Sequence, residues 1–179
     1  MPVTPEQIYE EVLVVRCQLG DDAAFRELFL MHEKRLTTFI RRLGPPGQEA
    51  DLAQEIWVAI HRALPGLKDI GKFRPWSFRI ARDFIFREFR RRRIAFQPLT
   101  EGDLEEPGPD DDAPLDQELV QQGLETLSPE HREVLHLRFF EDLTYEEIAG
   151  LVGSSVGTVR SRLHYAKRAL KSALKGNNP

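Results

Sequence analysis

TYEEIAGLVGSSVGTVRSRL, residues 144–163, is the stretch that decides the fold of this chain. Thr144 can cap a helix, and Glu147 three residues later completes a capping box. Ser155 can cap a following helix, and Gly153 allows a sharp turn between the two. Two helices joined by such a turn form a helix-turn-helix motif, so the sequence predicts this motif here.

The second helix of the motif separates into two faces if it begins at Val156, because each residue advances about 100° around the axis. The apolar face, expected to pack against the body of the domain, comprises Val156, Val159, Leu163, Ala166, Leu170 and Leu174. The polar face comprises Arg160, Ser161, His164, Tyr165, Arg168 and Lys171. Residues 158–175 contain six basic side chains and no acidic one. Such a face fits the DNA major groove, and the alternative is a solvated face of an ordinary bundle.

Composition is that of one or two soluble globular domains, with 179 residues, 41% hydrophobic and 30% charged. No apolar run approaches the roughly 18 residues of a membrane span, and the acidic N-terminal segment lacks the basic start of a signal peptide. A cytoplasmic protein is therefore predicted. The single cysteine, Cys17, excludes an internal disulfide. The histidines lack metal-ligand spacing, and no phosphate loop or nucleophile motif occurs, so no enzyme, metal or cofactor is expected.

Charge is segregated along the chain, although the net charge is only −4. Residues 72–93 contain nine basic and two acidic residues, which gives a local charge of +7. Residues 97–118 contain nine acidic residues, no basic residue and four prolines, which gives a local charge of −9. A segment with so few large apolar side chains cannot offset its own ordering entropy. The sequence therefore predicts a disordered linker there.

The predicted fold class is all-α, with two small helical domains joined by a flexible acidic linker and the helix-turn-helix in the second. The predicted boundaries are residues 1–96, 97–118 and 119–179. Helices are expected at about 5–19, 22–43, 49–64 and 74–93, with breaks at glycine and proline. Beyond the linker they are expected at about 117–126 and 129–140, ahead of the two helices of the motif. Ser128 is the expected cap of the helix at 129–140, with Pro129 at its first position.

Aromatic and basic side chains alternate at residues 73–89, FRPWSFRIARDFIFREF. As a helix, this segment has a broad inner face of Phe78, Ile80, Ala81, Phe84, Ile85 and Phe89. Its outer face comprises Trp76, Arg79, Arg82, Asp83, Phe86, Arg87 and Arg90. A basic face with exposed rings suits single-stranded or melted DNA, because cations follow the phosphates and unpaired bases stack on rings. The alternative is that Trp76 and Phe86 are core residues of an otherwise solvated basic helix.

The two motifs together resemble the extracytoplasmic-function (ECF) group of bacterial RNA polymerase sigma factors over nearly the whole length. Residues 51–57, DLAQEIW, resemble the core-polymerase-binding helix of that family. Residues 73–93 resemble its promoter-melting segment, and residues 127–170 resemble its reader of the upstream element. The resemblance implies an alternative sigma factor that binds core polymerase and promoter DNA, duplex at the minus-thirty-five element and melted at the minus-ten element. It implies no catalytic residue and no cofactor.

The resemblance also implies roles for single residues. Contact with the clamp of the beta-prime polymerase subunit is implied for Asp51, Gln54 and Glu55, although the same polar face would also serve solubility alone. Contact with the melted downstream element is implied for Trp76, Phe78, Arg79, Arg82, Asp83, Phe86 and Arg87. Contact with the upstream element is implied for Arg138, Ser155, Arg160, Ser161, Arg162, His164, Tyr165 and Arg168, with Arg138 on the DNA backbone.

Asp83 departs from the family pattern, which usually has Asn at this position. A carboxylate accepts hydrogen bonds but cannot donate them, and this one would lie near phosphates, so the base preference is left open. An anti-sigma protein that masks these surfaces is the usual partner in the family. Two other functions also stay open. A stand-alone helix-turn-helix regulator leaves residues 73–93 unexplained, and an enzyme on single-stranded DNA needs a carboxylate cluster or nucleophile that the sequence does not supply.

Overall fold

The computed structural model describes residues 4–91 and 127–175, with the backbone only at residues 171–175. Within these ranges the regular structure is helical and no strand occurs, which confirms the all-α prediction. The chain forms two compact units, residues 1–93 and 94–179. The predicted linker at 97–118 and the predicted helix at 117–126 lie outside the described residues. None of the helices described combines the length and hydrophobicity that crossing a membrane requires.

Four helices form the N-terminal unit. They are α1 at Pro5–Gln18, α2 at Asp22–Leu43, α3 at Glu49–Ala63 and α4 at Phe73–Arg91. Two short 3-10 turns, Leu64–Gly66 and Ile70–Lys72, connect α3 to α4. Each predicted helix agrees with the structure to within two residues at either end.

Capping residues explain where the first two helices begin. Thr4 and Gln7 form a capping box, in which each side chain accepts from the backbone N–H of the other residue. Asp21 Oδ1 accepts from two backbone N–H groups at the start of α2. Because the first N–H groups of a helix have no intrahelical partner, these side chains fix the starting points of the helices.

The core of the N-terminal unit lies between its four helices. Its largest fully buried side chains include Leu13, Leu28, Leu36, Phe39, Ile40, Ile56, Ile60, Phe73, Phe78 and Ile85. The rings of Phe39 on α2 and Phe78 on α4 meet edge to face, with centroids 5.0 Å apart. Burial of one such ring contributes about 1.5–3 kcal/mol. This packing holds one side of α4 in the core and turns its other side to solvent.

Three helices are described in the C-terminal unit: α5 at Pro129–Phe139, α6 at Tyr145–Val152 and α7 at Val156–Lys175. Ser128 caps α5 by accepting from the His131 N–H at 3.4 Å, and Pro129 occupies the first helical position as predicted. The core side chains of this unit include Val134, Leu135, Leu137, Leu143, Ile148, Leu151, Val159, Leu163, Ala166 and Leu170.

The helix-turn-helix is formed by α6 and α7, and its capping agrees with the prediction. Thr144 and Glu147 form the expected capping box. Gly153 ends α6 in the left-handed region, with φ 69° and ψ 36°. A Cβ atom there would meet nothing within 4 Å, so backbone conformation, and not space, favours glycine. Ser155 Oγ accepts from the Thr158 N–H at 3.0 Å and caps α7.

Candidate nucleic-acid interface

The two faces of α7 separate as the sequence predicts. Val159, Leu163, Ala166 and Leu170 are buried against the unit, whereas Val156 is only partly buried. On the opposite face, Arg160 and Arg168 are exposed, and Ser161, His164 and Tyr165 are partly exposed. The side chains of Lys171 and Leu174 lie outside the described part. The apolar side thus holds α7 in place while the polar side stays accessible.

The accessible face of α7 combines charge with rings. The rings of His164 and Tyr165 meet edge to face, with centroids 5.4 Å apart. The hydroxyl of Ser161 donates to the backbone oxygen of Gly157 at 3.1 Å, one turn earlier. Donors and flat side chains on the exposed face of a recognition helix are the groups that contact base edges in a major groove.

Arg162 and Ser155, both assigned to DNA by resemblance, lie beside the turn of the motif. Arg162 Nη1 donates to Ser154 Oγ at 3.4 Å, and Arg162 is about 200° around the helix axis from Arg160. Burial and, to a lesser degree, the nearby Arg162 cation lower the pKa of His131. The structure therefore brings Arg160, His164 and Arg168 to one face, and separates Arg162 from them.

Three side chains from three helices converge at the start of α6. The guanidinium carbon of Arg138, on α5, lies 5.4 Å from the centroid of the Tyr145 ring. The guanidinium carbon of Arg160, on α7, lies 5.8 Å from the same centroid. Arg138 Nη1 also donates to the backbone oxygen of Leu143 at 3.4 Å. Tyr145 is not among the site residues predicted from the sequence. The signal that could have indicated it is an aromatic residue directly after a helix cap, where helix formation does not require one.

On α4, Phe73, Ser77, Phe78, Ala81 and Ile85 form the buried side. Phe78 is 1% exposed, so it cannot stack on a base without leaving the core. This burial is incompatible with the predicted contact between Phe78 and melted DNA, and Phe78 is a core residue. The predicted inner-face residues Ile80, Phe84 and Phe89 are only partly buried, because the four-helix core contacts a narrower side of α4 than the sequence pattern indicates.

The accessible side of α4 interleaves rings with guanidinium groups. Trp76 is partly exposed, and its ring centroid lies 5.8 Å from that of the buried Phe73. The Arg82 guanidinium lies 4.5 Å from the centroid of Phe86, which is also partly exposed. The Arg87 guanidinium lies 4.0 Å from the Phe84 centroid. Neither Trp76 nor Phe86 is a fully buried core residue.

Asp83 lies on the exposed side of α4, as does Arg79. Asp83 Oδ1 is 4.0 Å from Arg82 Nη1, and the Asp83 side chain is 67% exposed. The Asp83 carboxylate, at the position where the family usually has Asn, therefore lies beside the Arg82 cation. This cation reduces the repulsion between Asp83 and DNA phosphates.

The polar face of α3 presents Asp51, Gln54 and Glu55, all of them exposed. Glu55 Oε2 lies 3.7 Å from Arg87 Nη2. A residue predicted to contact polymerase is therefore paired with one predicted to contact DNA. A groove of about 630 Å³ runs between α2 and α3 beside these residues. Its lining includes Phe25, Phe29, Gln54, Trp57, Val58 and His61. A concave surface of this kind, rich in aromatic side chains and with polar residues at its edge, is typical of a protein-binding site.

Two parts of the chain match known protein families. The family described as Sigma-70 region 2 matches residues 28–94, and the family described as Sigma-70, region 4 matches residues 123–172. The ECF RNA polymerase sigma-E factor of Escherichia coli strain K12 is 31% identical, covering 92% of this chain and 94% of that protein. The chain belongs to the ECF sigma factors. Its function is that of an alternative RNA polymerase sigma factor.

Two further proteins are similar to this chain. The RNA polymerase sigma-H factor of Pseudomonas aeruginosa is 35% identical, with 96% of each chain covered. The sigma factor RpoE of Bartonella quintana, solved in complex with the anti-sigma factor NepR, has a TM-score of 0.66 and 23% identity. That alignment covers 86% of this sigma factor and 98% of the other chain, and it shows a shared fold.

The matched ranges locate both surfaces within this sigma factor. The region 2 match begins within α2 and includes α3 and α4, and the region 4 match includes α5, α6 and α7 as far as residue 172. The interleaved rings and cations therefore belong to region 2, and the helix-turn-helix belongs to region 4.

Proposed function

We propose that this sigma factor binds core polymerase through α3, reads the minus-thirty-five element with α7 and captures melted bases of the minus-ten element with α4. The observation that supports this proposal best is the accessible side of α4, where Trp76 and Phe86 are interleaved with arginines. Duplex DNA alone requires cations, whereas single-stranded DNA also gains from rings on which unpaired bases stack.

The upstream element is assigned to α7 because its polar face combines side chains suited to base edges. Arginine can form two parallel hydrogen bonds with guanine, and histidine can donate or accept. Arg160 and His164 occupy one stripe of the helix, one turn apart. Arg138 reaches the same surface from α5, where it suits a phosphate contact.

The downstream element is assigned to α4 because strand opening needs a surface that prefers unpaired bases. Each base stacked on a ring contributes about 1–3 kcal/mol. Trp76 and Phe86 can provide such stacking, while Arg79, Arg82 and Arg87 hold the phosphates of the displaced strand. The energy for melting comes from this binding, and the polymerase performs the chemistry, so the sigma factor needs neither catalytic residues nor a cofactor.

The polymerase site is assigned to Asp51, Gln54 and Glu55, together with the aromatic groove beside them. By resemblance, the clamp of the beta-prime subunit is the partner. We further propose an anti-sigma protein as a second partner, because the similar Bartonella sigma factor was solved with one. The proposal divides the chain into a domain at 1–96 that binds polymerase and the minus-ten element, and a domain at 119–179 that reads the minus-thirty-five element. The acidic segment 97–118 joins the two domains. The cytoplasm, where the polymerase acts, is the expected location.

Core-polymerase pull-down followed by run-off transcription tests the proposal. The paired change Asp51→Asn with Glu55→Gln should weaken the pull-down and lower run-off product. The matched control, Asp69→Asn with Glu146→Gln, removes the same charge from two other exposed sites and should change neither. A stand-alone regulator would bind duplex DNA, retain no polymerase and support no run-off product, and that result would reject the proposal.

A further inference from the structure

Two proposed DNA contacts meet at the side chain of Tyr145. Arg138 and Arg160 lie on different helices, α5 and α7, and both guanidinium groups lie within about 6 Å of its ring centroid, the range in which a cation is attracted to an aromatic face. Tyr145 itself belongs to α6. The three helices described in this unit are therefore connected through one ring, on the side proposed to face DNA.

The position of the Tyr145 ring is fixed by its own helix. Tyr145 is the first residue after the Thr144 cap, and the Thr144 N–H donates to the Glu147 carboxylate at 2.8 Å. Leu143 and Ile148, on either side of the cap, are both buried, an arrangement that fixes the direction in which the chain enters the helix. The ring is thus attached to a rigid helix start.

Both arginines have long side chains that a contact with the Tyr145 ring restrains. Arg138 also donates to the backbone oxygen of Leu143, so it has a second anchor. Arg160 is exposed on the face of α7, and a long side chain there loses substantial rotamer freedom when it binds a base edge. A ring that already restricts the guanidinium reduces this entropy cost, because the side chain is preorganised before DNA arrives.

We infer that Tyr145 is a positioning residue for recognition of the upstream element, which holds Arg138 for a phosphate contact and Arg160 for a base contact. This inference rests on the proposed function of α7 as the upstream reader. Tyr145 acts through the two arginines, so its ring matters and its hydroxyl does not.

The test uses holoenzyme assembled from the full chain and core polymerase, with promoter duplexes that the wild-type holoenzyme selects from a random-sequence library. Tyr145→Leu should lower affinity for the selected duplex about five- to tenfold, as expected for two partly exposed cation–aromatic contacts. Tyr145→Phe keeps the ring and should bind like wild type. In the Arg138→Ala/Arg160→Ala background, Tyr145→Leu should cause no further loss, because its partners are gone.

A measurement on the free protein tests the placement without DNA. The NMR signals of the guanidinium nitrogens of Arg138 and Arg160 should shift in Tyr145→Leu and should not shift in Tyr145→Phe. Thermal unfolding of each variant shows whether the fold is intact. Tyr145→Leu could lower the unfolding temperature and leave the Arg138 and Arg160 signals and the DNA affinity unchanged. Tyr145 would then be a purely structural residue, and the inference would be wrong.

The outcomes separate this inference from the proposed function. If the wild-type holoenzyme selects no sequence, the proposed function fails and the inference with it. If it selects one, and Tyr145→Leu loses as much affinity in the double-alanine background as alone, the ring touches DNA directly and only the inference fails. If Tyr145→Phe lost as much DNA affinity as Tyr145→Leu, the effect would belong to the hydroxyl, and the inference would again be wrong.

Discussion

Arg160 is exposed on α7, one turn before His164, and the ring of His164 packs against that of Tyr165. We expect Arg160→Ala and His164→Ala each to cost about 1–3 kcal/mol of binding to the upstream element, with a loss of base preference. Affinity of holoenzyme for matched and base-substituted promoters measures both effects.

A control for charge is available on the same helix. Lys167, two turns after Arg160 on α7 and not among the proposed base contacts, lies over the Phe139 ring, at 5.5 Å from its centroid. Lys167→Ala removes one positive charge and should leave base preference unchanged. If Arg160→Ala lowers affinity equally for all promoter sequences, as a phosphate contact would, the assignment of the reading face is wrong.

His131 gives the C-terminal unit a pH dependence of defined sign. Burial, and to a lesser degree the Arg162 cation, lower the pKa of His131. The folded state therefore binds this proton less readily than the unfolded chain, whose histidine titrates near about pH 6.5. The free energy of unfolding should decrease as the pH falls through that value.

Urea unfolding, followed at the amides of α5 to α7, measures this effect at about pH 7.5 and about pH 5.5. His131→Gln cannot take up the proton and should lose less stability over this range than wild type. Equal losses in the two proteins would mean that other groups cause the pH dependence.

At the level of elements, α4 contains rings with two different functions. Trp76→Ala and Phe86→Ala should leave closed-complex binding nearly intact and reduce open-complex formation, because stacking is gained only after bases unpair. Permanganate reactivity of promoter thymines reports strand opening. Phe78→Ala should instead lower the stability of the N-terminal unit by about 3–5 kcal/mol, because it leaves a cavity in the core.

This contrast also tests the corrected assignment of Phe78. If Trp76→Ala and Phe86→Ala unfold the protein as readily as Phe78→Ala, all three rings are core residues. Unchanged thymine reactivity in stable Trp76→Ala and Phe86→Ala proteins would remove both rings from the proposed melting surface.

The Glu55–Arg87 pair connects α3 with α4 and predicts a coupling between their surfaces. Glu55→Gln removes the anionic partner of Arg87 and should raise the affinity of the free protein for single-stranded DNA. Because exposed ion pairs contribute about 0–1 kcal/mol, the increase should not exceed about fivefold. Asp51→Asn makes the same change in charge on the same helix and serves as the control. An equal increase from both variants would indicate general charge and no specific pairing.

At the scale of the whole molecule, charge along the sequence predicts that the free protein binds promoter DNA weakly. Residues 97–118, with a charge of −9, lie in the sequence between two basic segments and are expected to compete with phosphates for them. Neutralising five acids of this segment, namely Glu105, Glu106, Asp110, Asp111 and Asp112, to the matching amides should raise affinity without polymerase at one fixed salt concentration.

The control for this experiment neutralises five exposed acids elsewhere: Glu6, Asp22, Asp69, Asp142 and Glu146. These changes alter the net charge by the same amount. They should raise affinity for DNA less than the changes in residues 97–118 do, because these acids lie outside the segment between the two basic segments. An affinity that does not rise on neutralising the acidic segment would make that segment a passive tether.

The sequence by itself determined the helices and the motif, because these depend on local chemistry. Capping at Thr144 and Ser155, the left-handed Gly153 and the apolar spacing of α7 were all predictable, since each involves residues a few positions apart. The family followed from the same local patterns. Charge segregation was also predictable, because it depends on the order of residues alone.

Only the tertiary structure decided which side chains of α4 are buried and which partners the arginines have. Helical spacing places Phe78 on the broad inner face, whereas the family resemblance assigns it to DNA, and its contact with Phe39 of α2 decides that it is core. The meeting of Arg138 and Arg160 at Tyr145, and of Arg87 with Glu55, joins residues from different helices. Such contacts depend on how helices pack, which the local sequence pattern does not contain.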